Sequence, residues 1–195
     1  MADIYYETPL LETERLILKR GTLEDYEKVY EYDFRKLRDI AGEFEFVKQD
    51  PSNIASFAVP TKETYDWIIY LKDGTPIGNV VADSEEKDIK AIELAFNTHP
   101  SYWRKGYTYE AVVAIMRFLF SVGYENILCG YDEGNIKSKS LNEKLGFLPY
   151  RKEENSWYKN GIPITSYTNI MSKERFKEIH GQKYNLWYRW YYSWW

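Results

Sequence analysis

The sequence predicts a mixed α/β (α+β) fold whose central sheet is mostly antiparallel and flanked by helices. Three strand-like runs joined by short turns predict an antiparallel meander in the first half of the chain. A long apolar helix follows, and strands and helices then alternate up to a final hairpin. No repeat or shift in composition marks a second unit, so the 195 residues suit one main domain.

The elements before the meander begin with a strand-like run over residues 15–20. Thr22 then predicts a helix N-cap, with Asp25 at the reciprocal position of a capping box. Apolar and aromatic residues recur at helical spacing after it: Leu23, Tyr26, Val29 and Tyr30. We expect a second helix from Phe34 to Ile40 and irregular chain over residues 41–61, which contain Gly42, Pro51 and Pro60.

The meander is predicted from three runs, Tyr65–Leu71, Ile77–Asp83 and Ile89–Thr98. Asp73 and Gly74 separate the first two runs and predict a hairpin, because this pair tolerates positive φ. The charged stretch Ser84–Asp88 is predicted to be the second turn.

The second half is predicted to open with a long helix over residues 107–122, apolar on more than one face. A buried strand, Ile127–Tyr131, and a helix ended by Gly146 follow it. The last predicted elements are the helix over 136–145, a hairpin of 147–151 with 162–171 around a turn at 159–161, and a short helix from Ser172 to His180.

Composition excludes several functions. A net charge of −4 and a pI near 5.4 argue against nonspecific nucleic-acid binding, which needs a basic surface. With one cysteine and two histidines, we expect neither an intrachain disulfide nor a metal site. No run of about 20 apolar residues predicts a membrane span, and residues 1–14 do not resemble a signal peptide, so we expect a cytoplasmic protein.

The segment between the third meander strand and the long helix is a candidate anion site. Gly106 lies just before the predicted helix start, where a glycine lets backbone N–H groups turn towards an anion and the helix dipole favours negative charge. That geometry suits a pyrophosphate, with Arg104 or Lys105 adding charge at its rim. Taken alone, the same pattern also fits an ordinary loop with a turn glycine.

Three blocks together resemble the GNAT superfamily of N-acetyltransferases. They are Thr13-Glu-Arg-Leu-Ile-Leu18, Gly106-Tyr-Thr-Tyr-Glu-Ala111 and the helix Asn135 to Phe147, which contains Leu145-Gly146-Phe147. Their order and spacing are typical of the branch that includes the ribosomal-protein N-terminal (RimJ/RimL-like) acetyltransferases. The resemblance covers roughly residues 10–178.

The resemblance implies a GNAT-like fold with two splayed strands, here 89–98 and 127–131, and acetyl-CoA as cofactor. The backbone amides that would hold the pyrophosphate belong to Arg104, Lys105, Gly106, Tyr107 and Thr108. Asn97 and Thr98 would offer strand backbone groups to the pantetheine arm and the acetyl carbonyl. Asn135 would bond to the arm, with Ser138 nearby.

Glu93 is the candidate general base, because it lies at a position where many family members carry a catalytic glutamate. Strand alternation predicts one face made of Ile89, Ala91, Glu93, Ala95 and Asn97, and another made of Ile92, Leu94 and Phe96. Apolar neighbours predict a raised pKa for the Glu93 carboxylate, which suits a base near neutral pH. The alternative is that Glu93 only pairs with a nearby lysine or arginine.

Three positions depart from the family pattern. Asn142 stands where many members have the tyrosine that protonates the leaving thiolate, and an amide cannot donate a proton in this way. The proton would then come from Ser138, a water or another tyrosine, or the reaction would need no acid. Trp103 replaces the usual Gln or Arg at the start of the loop motif. Thr108 replaces Gly or Ala at its end, where it would either donate a hydroxyl or crowd the phosphates.

Other polar residues have simpler explanations. Cys129 in a buried strand is predicted to be a core residue, and His99 a surface-turn residue. Glu110 is explained by its favourable interaction with the helix dipole. Three lysines in the helix that follows Asn135 predict a solvated face, and one of them would reach the cofactor's 3′-phosphate. They are Lys137, Lys139 and Lys144.

The overall hypothesis is an acetyl-CoA-dependent N-acetyltransferase acting on a primary amine, either a protein N-terminus or a small molecule. The alternative is a catalytically silent CoA-binding or interaction module of the same fold. We expect the catalytic domain over residues 1–180 and an aromatic C-terminal extension over 181–195, eight of whose last twelve residues are Trp or Tyr. This extension predicts packing on a partner protomer, as in a homodimer, or on the domain's own apolar surface.

Overall fold

Eight strands and four α-helices make up the computed structural model, which describes residues 7–31, 64–159 and 161–181. The strands are β1 (Leu11–Glu12), β2 (Leu16–Lys19), β3 (Tyr65–Leu71), β4 (Pro76–Glu86), β5 (Ala91–Thr98), β6 (Asn126–Asp132), β7 (Leu148–Lys159) and β8 (Ile162–Ser172). The helices are α1 (Leu23–Tyr30), α2 (Tyr107–Ser121), α3 (Ile136–Leu145) and α4 (Lys173–His180). Short 3-10 turns cover Lys87–Ile89 and Pro100–Tyr102.

All eight strands belong to one sheet in the order β1-β2-β3-β4-β5-β6-β8-β7. Within the described part of the chain, β5 and β6 form a parallel pair and the other neighbours are antiparallel. Helix α2 connects β5 to β6, as a parallel pair requires a crossover. The predicted mixed, mostly antiparallel sheet flanked by helices is confirmed.

The parallel pair separates halfway along its length. The register of β5 with β6 runs from Ala91 opposite Asn126 to Leu94 opposite Cys129. Beyond that point β5 continues beside β4 as far as Thr98, whereas β6 continues beside β8. The two strands therefore diverge, and the splayed pair implied by the resemblance is present.

Helices cover both faces of the sheet. Trp67 and Ile69 of β3 belong to a large apolar core that also contains α2, while Ile68 and Tyr70 of the same strand pack with α1 in a second cluster. Consecutive strand residues point to opposite faces, so α1 and α2 lie on opposite sides. Residues of α3 and α4 join the larger core, through Leu145 and Phe176.

Local sequence signals are confirmed at several element ends. Thr22 and Asp25 form the predicted capping box, and Gly146 ends α3 with a φ of 93°. The predicted turn over residues 84–88 is wrong in its boundaries. Strand β4 continues to Glu86, and the turn that follows ends at Lys90 with a φ of 47°, so β5 begins at Ala91 instead of Ile89.

Other boundaries also differ. The final hairpin is longer than predicted, because β7 and β8 pair well beyond residue 151, and the two-residue strand β1 was not predicted. The predicted helix over 34–40, the irregular segment 41–61 and the aromatic residues 184–195 lie outside the described residues. Across the three described ranges, no helix has the length and apolar character needed to cross a membrane.

Candidate functional site

The loop before α2 has the conformation of an anion-binding turn. Gly106 is the N-cap of α2 with a φ of 80°, and Arg104 has a φ of 60°. A left-handed residue next to a right-handed one, as Gly106 is next to the helical Tyr107, turns successive backbone N–H groups to one side of a loop. The first N–H groups of α2 also lack partners within the helix. The loop and the helix start therefore offer several donors to one anion, with the positive end of the helix dipole behind them.

A carboxylate in the first turn of α2 ties this loop to the start of the domain. Glu110 accepts hydrogen bonds from Thr13 Oγ1 at 2.5 Å and from Arg15 Nε at 2.6 Å. Arg15 in turn donates to the Lys105 carbonyl at 3.0 Å. Glu110 therefore does more than interact with the helix dipole. Its local sequence does not indicate these contacts, because Arg15 lies 95 positions away.

Cationic side chains surround the same loop. The Lys137 ammonium lies 4.0 Å from the centre of the Trp103 ring, and Lys105 lies 5.2 Å from that of Tyr102. Partial burial, and then the nearby Arg104 charge, lower the pKa of Lys137. Lys137 is thus an exposed residue, as predicted, and it lies beside the loop that contains Gly106.

The end of β5 is bonded to this loop by two side chains. Trp103 Nε1 donates to the Thr98 carbonyl at 2.6 Å. The hydroxyls of Thr98 and Thr108 lie 2.7 Å apart, with either as donor. Thr108 therefore directs its hydroxyl to the strand. Asn97, whose partner across the sheet is Asn79 of β4, is half-buried on the opposite face.

The start of α3 faces the divergent part of β6. Asn135 caps this helix, its side-chain oxygen accepting from Ser138 N at 3.1 Å. Asn142 is fully buried, donates to the Ser138 carbonyl at 3.0 Å and is bonded by Asn169 at 3.4 Å. An amide in a buried network has a structural role, so Asn142 does not replace the missing tyrosine.

Glu93 lies where β5 and β6 begin to separate. Its carboxylate is above Gly130, because a β-carbon added there would lie 3.1 Å from Glu93 Oε1. Asp83 is its direct partner across β4 and β5. The predicted division of β5 is confirmed: Ile92 and Leu94 enter the large core, whereas Glu93 is half-buried on the other face.

The surroundings of Glu93 are acidic. Burial, and next the Asp83 charge, raise the pKa of Glu93, and Glu86 and Glu153 add to this shift. Arg151 opposes it, but it also forms ion pairs with Glu86 and with Glu153. The raised pKa agrees with the direction predicted from the sequence, although neighbouring strands supply causes that β5 alone does not reveal.

Two further residues have structural roles. Cys129 is a free, buried core residue, as predicted, and burial raises the pKa of its thiol to about 12. His99 accepts a hydrogen bond from Ser101 N at 3.2 Å, in keeping with a turn residue. Within the ranges that the structure describes, no group of three His, Cys, Asp or Glu residues could hold a metal ion.

The candidate residues form two groups on the two faces of the sheet. Contacts of Thr98 with Trp103 and Thr108 join β5 to the loop, and the contact of Trp103 with Lys137 joins the loop to α3. Glu93 lies on the other face of the sheet, at the same point of divergence. The divergence of β5 from β6 therefore lies between the loop contacts at the end of β5 and the half-buried Glu93 carboxylate.

The sequence matches a known protein family. The acetyltransferase (GNAT) domain family model matches residues 15–148. The chain is 28% identical over 171 residues to the uncharacterized N-acetyltransferase YoaA of Bacillus subtilis, covering 84% of this chain and 96% of that protein. A second Bacillus subtilis relative, the uncharacterized N-acetyltransferase YjdG, is 28% identical over 80% of this chain and 98% of its own length.

Solved structures show the same fold. A ribosomal-protein-S5-alanine acetyltransferase from Vibrio fischeri superposes with a TM-score of 0.66 at 17% identity, over 87% of this chain and 99% of that one. The Microcin C7 self-immunity acetyltransferase MccE, solved with acetyl-CoA and AMP, gives a TM-score of 0.67 at 14% identity, over 82% and 93% of the two chains. At such identities the likeness supports the fold alone.

Proposed function

Because the chain belongs to the GNAT acetyltransferase family, we propose that it is an acetyl-CoA-dependent N-acetyltransferase whose acceptor is a primary amine. The single observation that carries this proposal is the separation of β5 from β6 beyond Leu94 and Cys129, next to the Gly106 loop. A parallel pair that opens beside an anion-binding helix start offers both a channel with backbone hydrogen-bonding groups and a phosphate site.

The chemistry of this cleft fits acetyl-CoA. The N–H groups of residues 104–108 would hold the pyrophosphate, with the positive charges of Arg104, Lys105 and Lys137 nearby. Asn97 and Thr98 would present the backbone of β5 to the pantetheine arm, and Asn135 and Ser138 would approach it from α3. When bound, acetyl-CoA supplies the acetyl group as an activated thioester.

Proton transfer is assigned to Glu93. Its raised pKa makes the carboxylate a better proton acceptor than an exposed glutamate, and Oε1 lies at the point of strand divergence. Glu93 would accept a proton from the acceptor's ammonium group, directly or through water. Ser138 is the proposed donor on the thiolate side, since Asn142 is fully engaged in the core.

The charges around Glu93 favour a cationic acceptor. Asp83, Glu86 and Glu153 surround the carboxylate, and Arg151 is the opposing cation within this group. An ammonium group is attracted to such a site before it loses its proton. The resemblance to the ribosomal-protein branch favours a protein N-terminus as the acceptor, with small-molecule amines as the alternative. Cytoplasmic location and dimerisation through residues 182–195 stay predictions from the sequence.

Release of free thiol from acetyl-CoA over a panel of amines tests the proposed function. The panel contains peptides with free N-termini, polyamines and amino acids, and acetyl-CoA binding is measured in parallel by isothermal titration. We expect binding together with amine-dependent thiol release. Binding without turnover of any amine would favour the silent CoA-binding module, whereas no binding would contradict both functions.

A further inference from the structure

The turn between β1 and β2 contacts the anion-binding loop across 90 positions of sequence. Arg15 Nη1 donates to the Lys105 carbonyl at 3.0 Å, and the guanidinium lies over the Tyr107 ring, 4.7 Å from its centre. A β-carbon added to Gly106 would lie 3.4 Å from Arg15 Nη2. Arg15 is therefore packed against the part of the loop where the backbone takes left-handed conformations.

Glu110 fixes the position of Arg15. Its Oε2 accepts a hydrogen bond from Arg15 Nε at 2.6 Å and forms an ion pair with Nη2, also at 2.6 Å. Its Oε1 accepts from the Arg15 backbone N–H at 3.0 Å and from the Thr13 hydroxyl at 2.5 Å. The Glu110 side chain is 13% exposed, against 44% for Arg15, so the carboxylate is the shielded centre of this cluster.

We infer that Arg15 and Glu110 are positioning residues for the cofactor, which hold the loop Arg104–Thr108 in the conformation that binds the pyrophosphate. This inference rests on the proposed function. Arg104 adopts a left-handed backbone conformation, which is unfavourable for residues other than glycine. The loop therefore needs contacts from outside to keep this conformation. Without that support, only a fraction of the molecules would have the loop in its binding conformation. The apparent affinity for acetyl-CoA would then fall to that fraction of its full value.

A change in the charge of Glu110 distinguishes a positioning role from a direct effect of charge on cofactor binding. Glu110→Gln removes a negative charge close to the proposed anion site and does not change the residue at position 15. If the two residues acted only through their charges, this change would tighten the binding of the anionic cofactor. Positioning predicts the opposite result, because the neutral amide holds Arg15 less strongly.

Isothermal titration of acetyl-CoA into four proteins tests the inference: the wild type, Arg15→Gln, Glu110→Gln and the double variant. We expect each single change to raise Kd about tenfold, the size of one lost charge-assisted interaction. The double variant should lose no more than either single one, since both remove the same contact. KM for acetyl-CoA should follow Kd, with kcat at saturation within about twofold of the wild type.

A milder variant and a control make the result decisive. Arg15→Lys keeps the charge but donates to fewer acceptors, so it should restore part of the affinity even if a larger change disturbs folding. Glu12→Gln and Lys72→Gln disrupt an exposed pair, 3.4 Å apart, beside the same turn, and should leave Kd within about twofold. Melting temperatures identify any variant that is not folded.

The outcomes distinguish this inference from the function on which it rests. If the wild type binds acetyl-CoA and Glu110→Gln binds equally well or more tightly, the inference is overturned and the proposed function stands. Additive losses in the double variant would also overturn it. If the wild type does not bind acetyl-CoA, the proposed function fails, and the inference fails with it.

Discussion

The Glu93 carboxylate on β5 lies directly over Gly130 on β6, with Glu93 Oε1 3.1 Å from the position of an added β-carbon. The contact occurs just past the last parallel pair, Leu94 and Cys129, where the two strands begin to diverge. The absence of a side chain at residue 130 thus leaves room for the proposed base beside the point where the strands diverge.

Gly130→Ala should reduce turnover through Glu93. The added methyl group is too close to Oε1, so the carboxylate has to move by a few tenths of an ångström. We expect kcat to fall about tenfold, since small displacements of a catalytic group cost rate, and Kd for acetyl-CoA to change little. The double variant of Gly130→Ala with Glu93→Gln should have the same kcat as Glu93→Gln alone. Undiminished kcat in Gly130→Ala would contradict the proposed position of the base.

Glu93→Gln should remove the base while preserving the shape of the cleft. We expect kcat to fall about 100-fold, the lower range for general base catalysis, with acetyl-CoA affinity within about twofold. In the wild type, kcat/KM should rise with pH through the pKa of Glu93, which is raised above 4.5. The pH–rate profile of the variant should lack this rise.

Glu153→Gln is the matched control, because it removes an exposed carboxylate from the same acidic group. It should reduce kcat by less than about threefold, as expected for a charge that is exposed to solvent. Equal losses in Glu93→Gln and Glu153→Gln would assign the effect to the field of the cleft rather than to a base.

The same raised pKa predicts how stability depends on pH. Burial and Asp83 disfavour the ionised Glu93 in the folded protein, so the folded state binds its proton more tightly than the unfolded state. The stability gained from this proton is fully present below pH 4.5, the ordinary pKa of a glutamate, and is lost as the pH rises through the pKa of Glu93 in the folded protein. Glu93→Gln should therefore melt at a higher temperature than the wild type near pH 7, with a smaller difference near pH 4. A lower melting temperature for the variant near neutral pH would contradict this.

The Thr98–Thr108 contact should support structure rather than cofactor affinity. Thr108→Val removes the hydroxyl that lies 2.7 Å from Thr98 Oγ1, and should cost about 1 kcal/mol of unfolding free energy. Kd for acetyl-CoA should change less than about threefold, because the hydroxyl is directed to β5. Thermal unfolding and titration check the two parts. A large loss of affinity at unchanged melting temperature would make the Thr108 hydroxyl a ligand of the cofactor.

Sequence predicted most elements because their signals are local. The capping box of Thr22 with Asp25 and the helix end at Gly146 depend on residues within a few positions of each other, and both are confirmed. The residues of the candidate site came from motif resemblance, which places Gly106 and Asn135 by their order in the chain. Their roles in binding acetyl-CoA remain predictions.

Features that depend on distant segments were not predictable in this way. Glu110 has a sufficient local explanation in the helix dipole, so nothing nearby in sequence indicates its bonds to Thr13 and Arg15. The acidic neighbours of Glu93 come from β4 and β7, and the register shift in β4 after Asp83 determines which of them lie close. Asn142 is buried by packing against β8, which its position in a polar helix does not reveal.

Binding of acetyl-CoA by the Gly106 loop can be tested by isothermal titration of acetyl-CoA into the wild type, Gly106→Ala and Gly74→Ala. Both glycines are left-handed, with φ of 80° and 90°, so alanine adds similar backbone strain at each, but Gly74 lies in a remote hairpin with open space around it. We predict that the wild type and Gly74→Ala bind alike, and that Gly106→Ala binds at least about tenfold more weakly. No binding to the wild type, or equal binding to Gly106→Ala, would contradict the account.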